Sequence, residues 1–372
     1  MSEKFFFFAG GGTGGHIYPA IAVAEKIAAF QPDARIHFFV SEREIDTQIL
    51  SASGFLYTQL PAKGFSIQPG RLVEFCTSFF ESYRIANKQI YQGKNAVVVG
   101  VGGFVAAPVC WSGHKLKIPV VLLNVDILPG RANKVISHFA DKIFVQFDQT
   151  AQYFSKSKAK VTVVGCPLRS GFDNPDPVRA IEQLGLEKGK KILLITGASS
   201  GSQNINEAVC SLLERLSGFA NQWQIVHLTG PANYESVNSK YAGAKIAHKV
   251  IRYYDDMANL LAGADLVIGR SGAVSVAEYA AAAVPSICMP YPYHKDRHQY
   301  LNAEELVEAG AAVVVDDLPE LEERADWLWE ELEVLLRDEN KRKEMKGNCA
   351  AAVKRDAASR IAKRLLEMAG SE

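Results

Sequence analysis

Glycine dominates a short segment near the start of the chain, where five of the six residues from Gly10 to Gly15 are glycine. Four phenylalanines, Phe5 to Phe8, precede it, and such a short apolar run predicts a strand buried on both faces. His16 and an apolar run opened by Pro19 follow it, which predicts a helix. Glycine lets the backbone amides at a helix N-terminus approach a ligand closely, so this segment predicts an anion-binding site.

The same segment admits a second interpretation. Its spacing, Gly10-x-Gly12-x-x-Gly15, satisfies the pattern of dinucleotide-binding loops, so a nicotinamide or flavin dehydrogenase is one hypothesis. Glu42 follows the predicted second strand and stands where such enzymes carry the acid that binds ribose. The pattern alone has low specificity, and it leaves the ligand open.

A second set of chemistry-bearing residues lies in the other half of the chain. The stretch Gly269 to Gly272, Gly-Arg-Ser-Gly, ends a predicted strand and leads into a helix that carries Glu278 near its start. Such a helix start can hold a diphosphate, and a carboxylate there can accept two hydrogen bonds from ribose hydroxyls. The alternative is that Glu278 only complements the helix dipole.

Alternating strands and helices position both sets of residues. Further strands are predicted at 35–40, 95–99, 118–123, 142–146 and 160–164, and then at 190–196, 224–229, 249–254, 265–269, 285–289 and 312–315. This alternation indicates parallel sheets whose ligands lie at the carboxyl ends of the strands. We therefore predict an α/β fold of two Rossmann-like, doubly wound domains that face a cleft. A Pro-rich linker near 173–177 separates a first domain, 1–168, from a second, 169–350, and a C-terminal helix, 351–372, is expected to cross back to the first.

The composition is that of a folded globular protein, 48% hydrophobic and 22% charged, with no apolar run approaching the length of a membrane-spanning helix. The six cysteines have no paired spacing, which favours reduced thiols over zinc or disulfides and suits a cytoplasm. Residues 1–168 carry 17 Lys and Arg against 11 Asp and Glu, whereas the rest carries 24 against 30. The basic half is expected to face something anionic, with chance asymmetry as the alternative.

The run from Gly11 to Pro19, Gly-Gly-Thr-Gly-Gly-His-x-x-Pro, is much more specific than the dinucleotide pattern. It resembles the first glycine loop of the MurG-type N-acetylglucosamine transferases of glycosyltransferase family 28. The run Arg270-Ser-Gly-Ala followed by Glu278 resembles the nucleotide-sugar motif of that family, and the segment 290–303 resembles its donor-sugar contact.

The resemblance implies an activity, an architecture and a location. The activity is inverting, metal-independent transfer of N-acetylglucosamine from its UDP derivative to undecaprenyl-diphosphoryl N-acetylmuramoyl-pentapeptide, for peptidoglycan synthesis, without a cofactor. The architecture is the GT-B arrangement of two Rossmann-like domains. The implied location is the cytoplasmic face of the cell inner membrane, bound peripherally to its anionic surface, and we expect no nucleic-acid partner.

Carried over position by position, the resemblance also implies roles for individual residues. The donor contacts it implies are Arg169, Ser199, Tyr254, Ala273, Val274, Glu278, His298 and Gln299. The positions implied to face the lipid-linked diphosphate, or to lie near it, are Thr13, Gly14, Gly15, His16, Phe104 and Asn206. For the general base, His16 and Asp126 are both candidates, and a histidine in a glycine loop is equally suited to donate a hydrogen bond to phosphate.

The chain departs from the family pattern after its predicted fifth strand. Leu123-Asn-Val-Asp126 stands where the family usually has His-Glu-Gln-Asn, and a carboxylate can act as a base where an amide cannot. This departure keeps open a related transferase with a different acceptor and a non-catalytic nucleotide-sugar-binding protein. The dehydrogenase hypothesis is weaker, because the second half carries a phosphate loop of its own.

Residues 64–94 mix aromatic and basic side chains. Four apolar or aromatic residues recur at helical spacing, a pattern that most often marks a helix face packed in the core. They are Leu72, Phe75, Phe79 and Tyr83. Basic residues accompany them and can bind anionic headgroups, namely Arg71, Arg84, Lys88 and Lys94. The family resemblance favours the membrane-facing interpretation.

Overall fold

A computed structural model describes residues 3–12, 14–65, 68–90, 95–354 and 356–370. The chain divides into two compact units, the first formed by 1–169 together with 354–372 and the second by 170–353. The boundary between the first and second units falls one residue after the predicted one, and the return of the chain to the first unit falls three residues after its predicted position. Each unit contains a parallel sheet flanked by helices, which confirms the predicted α/β fold with two doubly wound domains.

The first unit is built on seven parallel strands in the order β3-β2-β1-β4-β5-β6-β7. Their bounds are β1 Phe5–Gly10, β2 Arg35–Ser41, β3 Leu56–Leu60, β4 Ala96–Gly102, β5 Val120–Asn124, β6 Lys142–Val145 and β7 Val161–Val163. The first five helices are α1 Gly14–Phe30, α2 Glu44–Ser53, α3 Pro69–Ile90, α4 Ala106–Lys115 and α5 Arg131–Ile136. A 3-10 segment, Asp148–Lys160, leads from β6 to β7.

Phenylalanines fill the centre of the first sheet. Phe6 and Phe8 on β1 have no exposed surface, and Phe7 is 5% exposed, as expected for a strand covered on both faces. The ring of Phe8 stacks on Phe38 of β2 at 5.1 Å between centroids. Burial of these large rings fixes β1 at the centre of the sheet, so the loop that follows it is anchored at one end in the core.

The second unit is built on six parallel strands in the order β10-β9-β8-β11-β12-β13. Their bounds are β8 Lys191–Thr196, β9 Trp223–Leu228, β10 Ala247–Ile251, β11 Leu266–Gly269, β12 Ser286–Cys288 and β13 Ala312–Val314. Its helices are α6 Pro177–Leu184, α7 Gln203–Ser211, α8 Leu213–Ser217, α9 Tyr234–Tyr241, α10 Met257–Gly263, α11 Ala273–Ala281, α12 His298–Glu308, α13 Leu321–Arg337 and α14 Glu339–Ala352. Short 3-10 turns cover Ser170–Phe172 and Pro231–Asn233.

Strand order reverses once in each sheet. The reversal lies between β1 and β4 in the first unit and between β8 and β11 in the second. Ligands of doubly wound sheets bind beyond the carboxyl ends of the strands at such a switch point. A ligand site is therefore expected at the loops that follow these four strands.

The last helix, α15 (Ala357–Met368), belongs to the first unit, where it packs against α1. Its buried face includes Ile361 and Leu365, neither of which has exposed surface. Lys4, just before β1, donates a hydrogen bond of 2.8 Å from Nζ to the carbonyl oxygen of Leu366. No helix in the described ranges is both long enough and apolar enough to cross a membrane.

Candidate functional site

The first glycine loop joins β1 to α1 and is held from below by a buried carboxylate. Gly12 has a φ of +93°, a conformation that favours glycine. Its N–H donates to both carboxylate oxygens of Asp46, at 2.8 and 3.1 Å, and Asp46 has no exposed surface. The Gly12 amide is thus used inside the protein, and Gly14, Gly15 and His16 form the start of α1. Thr13 lies outside the described residues.

A second glycine pair, after β4, lies directly against this loop. Gly103 has a φ of +76°, and a Cβ placed on it would lie 2.5 Å from the carbonyl oxygen of Gly11. A Cβ on Gly102 would lie 2.8 Å from Cδ2 of His16. The His16 ring therefore rests on bare backbone, and the two loops touch because neither has side chains at the contact.

Phe104 and one arginine complete this corner of the first unit. The Arg43 guanidinium lies 5.6 Å from the centroid of the Phe104 ring, and its Nη1 donates to the carbonyl oxygen of Gly12 at 2.8 Å. The structure thus brings His16, Phe104 and the glycine loop together. Arg43 and Asp46 were not among the predicted residues, because no motif marks them and only the fold brings α2 under the loop.

The segment after β5 lies at the same edge of the first sheet. Asn133 donates from Nδ2 to Oδ1 of Asn124 at 2.8 Å, and Asn124 donates from Nδ2 to the carbonyl oxygen of Asp126 at 2.6 Å. Both asparagines are buried, whereas Asp126 is half-buried. The backbone that carries Asp126 is therefore fixed by two buried amides. Both candidate bases, His16 and Asp126, follow strands at this edge.

Arg169, predicted to contact the donor, belongs to the first unit. Its guanidinium lies 4.3 Å from the centroid of the Tyr18 ring on α1, close enough for a cation–π interaction. The Tyr18 ring thus positions the Arg169 cation at the last residue of the segment 1–169 of the first unit.

In the second unit, the loop between β8 and α7 contains Ser199. Gly201 has a φ of +75°, and a Cβ on it would lie 2.2 Å from the carbonyl oxygen of Thr229, so no other residue fits there. Ser202 ends the loop as the N-cap of α7, where its Oγ accepts from the N–H of Ile205 at 3.4 Å. Ser199 is half-exposed near this helix start, as a diphosphate contact requires.

Asn206 lies on α7, directly beneath the second glycine loop. It is 1% exposed, its Nδ2 donates to the carbonyl oxygen of Thr229 at 2.9 Å, and its Oδ1 lies 3.0 Å from Nε2 of His227. Burial lowers the pKa of His227 to about 3, so that ring is neutral. Both polar ends of the Asn206 amide are thus used inside the second unit, and a position near the acceptor stays a prediction.

The helix α11 begins directly after the Gly-Arg-Ser-Gly stretch. Gly272 is its N-cap, Ala273 is buried and Val274 is half-buried. Glu278 is half-buried in the second turn. Since β8 and β11 are adjacent strands, the start of α11 lies at the same sheet edge as the start of α7.

Tyr254 follows β10, an edge strand of the second sheet. Its hydroxyl donates to Oε1 of Gln183 on α6 at 2.8 Å, and partial burial raises the pKa of the phenol above its usual value. The side chain is therefore fixed by the protein itself. The predicted donor contact of Tyr254 is therefore expected from its main chain.

His298 and Gln299 occupy the first two positions of α12. Nδ1 of His298 lies 2.8 Å from Oδ1 of Asp296, and its ring stacks on His294 at 4.3 Å between centroids. Burial would raise the pKa of Asp296, but hydrogen bonds from His298 and the nearby His294 lower it overall. Gln299 accepts at Oε1 from the N–H of Tyr291 at 2.9 Å. Both side chains are thus oriented by partners within the second unit.

Acidic, histidine and cysteine side chains are scattered in the described part of the chain, and no three of them are grouped as a metal site requires. Of the predicted residues, Gly14, Gly15, His16, Phe104 and Asp126 follow neighbouring strands of the first sheet. The second sheet places Ser199, Ala273, Val274 and Glu278 around one switch point.

Two protein-family models match the chain, one for each unit. The N-terminal domain of glycosyltransferase family 28 matches residues 6–145, and the C-terminal domain of the same family matches residues 192–361. Two relatives share the name UDP-N-acetylglucosamine--N-acetylmuramyl-(pentapeptide) pyrophosphoryl-undecaprenol N-acetylglucosamine transferase. The one from Acetivibrio thermocellus is 35% identical over 95% of each chain, and the one from Bacillus licheniformis is 32% identical over 96% of this chain and 97% of its own.

Solved structures show the same fold at lower identity. MurG of Acinetobacter baumannii superposes with a TM-score of 0.69 at 24% identity, covering 98% of this chain and 99% of its own. The UDP-GlcNAc 2-epimerase from Neisseria meningitidis bound to UDP-GlcNAc also gives 0.69, at 13% identity, covering 98% of this chain and 100% of its own.

Proposed function

The chain belongs to glycosyltransferase family 28, and we propose that it transfers N-acetylglucosamine from UDP-N-acetylglucosamine to undecaprenyl-diphosphoryl N-acetylmuramoyl-pentapeptide, a step of peptidoglycan synthesis. One observation carries the proposal: each unit has its own glycine loop leading from a central strand into a helix. A transfer between two diphosphate-bearing substrates needs two such anion sites. A dehydrogenase needs one, and membership of this family removes that hypothesis.

In the proposed reaction the second unit holds the donor. The amides at the starts of α7 and α11 bind the diphosphate, and Glu278 accepts hydrogen bonds from the ribose. His298 and Gln299 bind hydroxyls of the sugar. As the glycosidic bond breaks, negative charge develops on the departing UDP, and fixed helix amides stabilise that charge without reorganising.

The first unit holds the acceptor in this proposal. The amides of Gly14, Gly15 and His16 face its diphosphate, and an acceptor hydroxyl attacks the anomeric carbon from the side opposite UDP, which inverts the configuration. A base on that side must take the hydroxyl proton. Asp126 has a carboxylate on a backbone segment fixed by Asn124, whereas His16 lies on Gly102 within the phosphate loop. Both remain candidates, and the reaction is proposed to need no metal ion.

Peripheral binding to the cytoplasmic face of the inner membrane is part of the same proposal, because the acceptor is lipid-linked. On α3, Phe80 and Val73 are 65% and 63% exposed. The ring of Phe80 contacts Phe79 at 6.0 Å between centroids. Basic residues on the same helix are exposed, namely Arg71, Arg84 and Lys88, whereas Lys94 lies outside the described residues. Exposed aromatic rings beside cations suit an interface with anionic lipid.

The test is transfer of labelled N-acetylglucosamine from UDP-N-acetylglucosamine to a lipid-linked muramyl pentapeptide analogue, with EDTA present. We expect product, and we expect Glu278→Gln to raise the donor KM by about tenfold, since a lost hydrogen bond to a charged group is worth roughly 1.5–3 kcal/mol. Glu308→Gln, an exposed acid on α12, is the matched control and should leave the donor KM unchanged.

Three other outcomes separate the parts of the proposal. Product that disappears with EDTA would contradict the metal-independent mechanism. Binding of UDP-N-acetylglucosamine without any product would contradict the proposed acceptor and favour the related transferase or the non-catalytic binder. Failure to bind UDP at all would overturn the donor site.

A further inference from the structure

A buried guanidinium connects three of the four segments of the second unit to which donor contacts are assigned, all but the one that carries Tyr254. Arg270 stands between β11 and α11 and is 8% exposed. Its Nη2 donates to Oγ of Ser202 at 2.7 Å, the residue that caps α7. Its Nη1 donates to the carbonyl oxygen of Met289 at 2.8 Å, directly after β12. One cation thus joins the loop before α7, the start of α11 and the segment that leads to His298.

The counter-charge of Arg270 comes from Asp317, after β13. The Asp317 side chain has no exposed surface, and its Oδ2 lies 2.8 Å from Nη2 of Arg270. Its Oδ1 accepts from Nδ2 of Asn204, on α7, at 2.8 Å and lies 3.7 Å from Nη1 of Arg324. Arg324 is itself 2% exposed, donates to the carbonyl oxygen of Leu318 and lies 3.4 Å from Glu207. The cluster therefore contains two cations, Arg270 and Arg324, and two carboxylates, Asp317 and Glu207, so that its charges balance.

A buried guanidinium stays in place only when its charge and its donors are satisfied. The carbonyl of Met289 and the hydroxyl of Ser202 satisfy donors of Arg270, but neither supplies a negative charge. Asp317 supplies that charge. Without it, Arg270 would be drawn towards water, and its contacts with Ser202 and Met289 would be lost together.

We propose that Asp317 is a positioning residue for the donor nucleotide: it fixes Arg270, and through Arg270 it fixes the spacing of the three segments around the diphosphate. This inference rests on the donor site of the proposed function. Because the charge of Arg270 is already balanced, its part in the site is to hold the loops at a set distance rather than to attract the diphosphate.

The experiment measures UDP binding by calorimetry to the full chain and to Asp317→Asn, a change that keeps the volume and removes the charge. We expect the Kd for UDP to rise about tenfold or more, equivalent to about 1.4 kcal/mol. Arg324→Gln is the matched variant, since it disturbs the same buried cluster but contacts none of the three segments. It should lower the thermal unfolding temperature and leave the Kd unchanged.

Each other result is decisive. An unchanged or tighter UDP affinity in folded Asp317→Asn would overturn the inference. An equal loss of affinity in Arg324→Gln would also overturn it, because a general loss of stability would then explain both variants. If the unaltered chain does not bind UDP, the donor site of the proposed function fails and the inference with it, whereas UDP binding without sugar transfer leaves this test intact.

Discussion

In the first glycine loop, the amide of Gly12 donates to Asp46, and Asp46 also accepts from Oγ of Ser41 at 2.5 Å. A carboxylate with no exposed surface beside a loop proposed to face a diphosphate is unexpected, since two negative charges repel. Its role is conformational, because it holds Gly12 at positive φ through the hydrogen bonds from the Gly12 N–H.

At this scale we predict the effect of Asp46→Ala. The change leaves the Gly12 N–H and the Ser41 hydroxyl without their acceptor, which should lower the free energy of unfolding by about 1–3 kcal/mol. It should also raise the KM for the lipid-linked acceptor while the Kd for UDP stays constant. Urea unfolding and steady-state kinetics are the measurements.

Glu44→Ala provides the control for Asp46. Glu44 is also acidic and lies in the first turn of α2, but it is exposed. Its removal should change stability by less than about 0.5 kcal/mol. If both variants change stability and KM equally, the two acids act by stabilising the dipole of α2 and not by fixing the shape of the loop.

Candidate site residues can be proposed from the sequence where a motif is contiguous, as with His16 or Glu278, because local spacing carries the information. Asp46 and Asp317 could not be proposed in this way. Each acts on a loop that is remote in the sequence, and only the parallel packing of strands brings the acid to its loop. For Asn206, the sequence did not reveal that both ends of its amide are hydrogen-bonded inside the second unit.

Among elements, α15 has a particular role, because it crosses back to cover α1. The crossing segment passes Gly165, whose φ is +86° and where a Cβ would lie 2.5 Å from Cβ of Lys354. Lys354 in turn pairs with Asp148 at 2.7 Å. Close approach at a glycine and an ion pair therefore fix the point at which the chain returns to the first unit.

We predict that Leu365→Ala on α15 destabilises the first unit by about 2–5 kcal/mol, the usual cost of truncating a buried leucine. Hydrogen exchange of α1 amides should become faster, while amides of α7 in the second unit serve as an internal reference. Arg364→Ala, exposed on the same helix, should change exchange little. Unaltered protection of α1 in Leu365→Ala would mean that α15 adds no stability there.

Buried central strands were easier to predict from the sequence than exposed edge strands. Central strands such as β1 and β8 are continuous apolar runs, and they lie where expected. The edge strand β3 was not predicted, because its first residue, Leu56, is 72% exposed and its sequence alternates with polar residues. In the second sheet, the edge strand β10 ends at Ile251, before the predicted end at Tyr254, since an edge strand pairs on one side only.

For the whole molecule, charge is divided unequally, with the excess of Lys and Arg in residues 1–168 and the excess of Asp and Glu in the rest. The exposed aromatic and basic residues of α3 belong to the positive part. A net charge of zero therefore does not prevent attraction to an anionic bilayer, since only the first unit needs to be near it.

We predict that Arg84→Gln weakens binding to vesicles containing phosphatidylglycerol by about fivefold, because each basic residue near an anionic surface contributes about 1 kcal/mol. Added salt should weaken binding of the unaltered chain in the same way. Co-sedimentation is the measurement. Lys249→Gln, an exposed lysine of the second unit, is the control, and an equal loss there would contradict a membrane-facing α3.

The return of α15 to the first unit also has a consequence for biosynthesis. A ribosome releases the strands of the first unit early, yet the helix that covers α1 follows only after all of the second unit. Until then the part of α1 that packs against α15 lacks its final cover. The nascent chain therefore exposes a hydrophobic surface for as long as the second unit is being translated, which makes this unit the expected client of a chaperone during its synthesis.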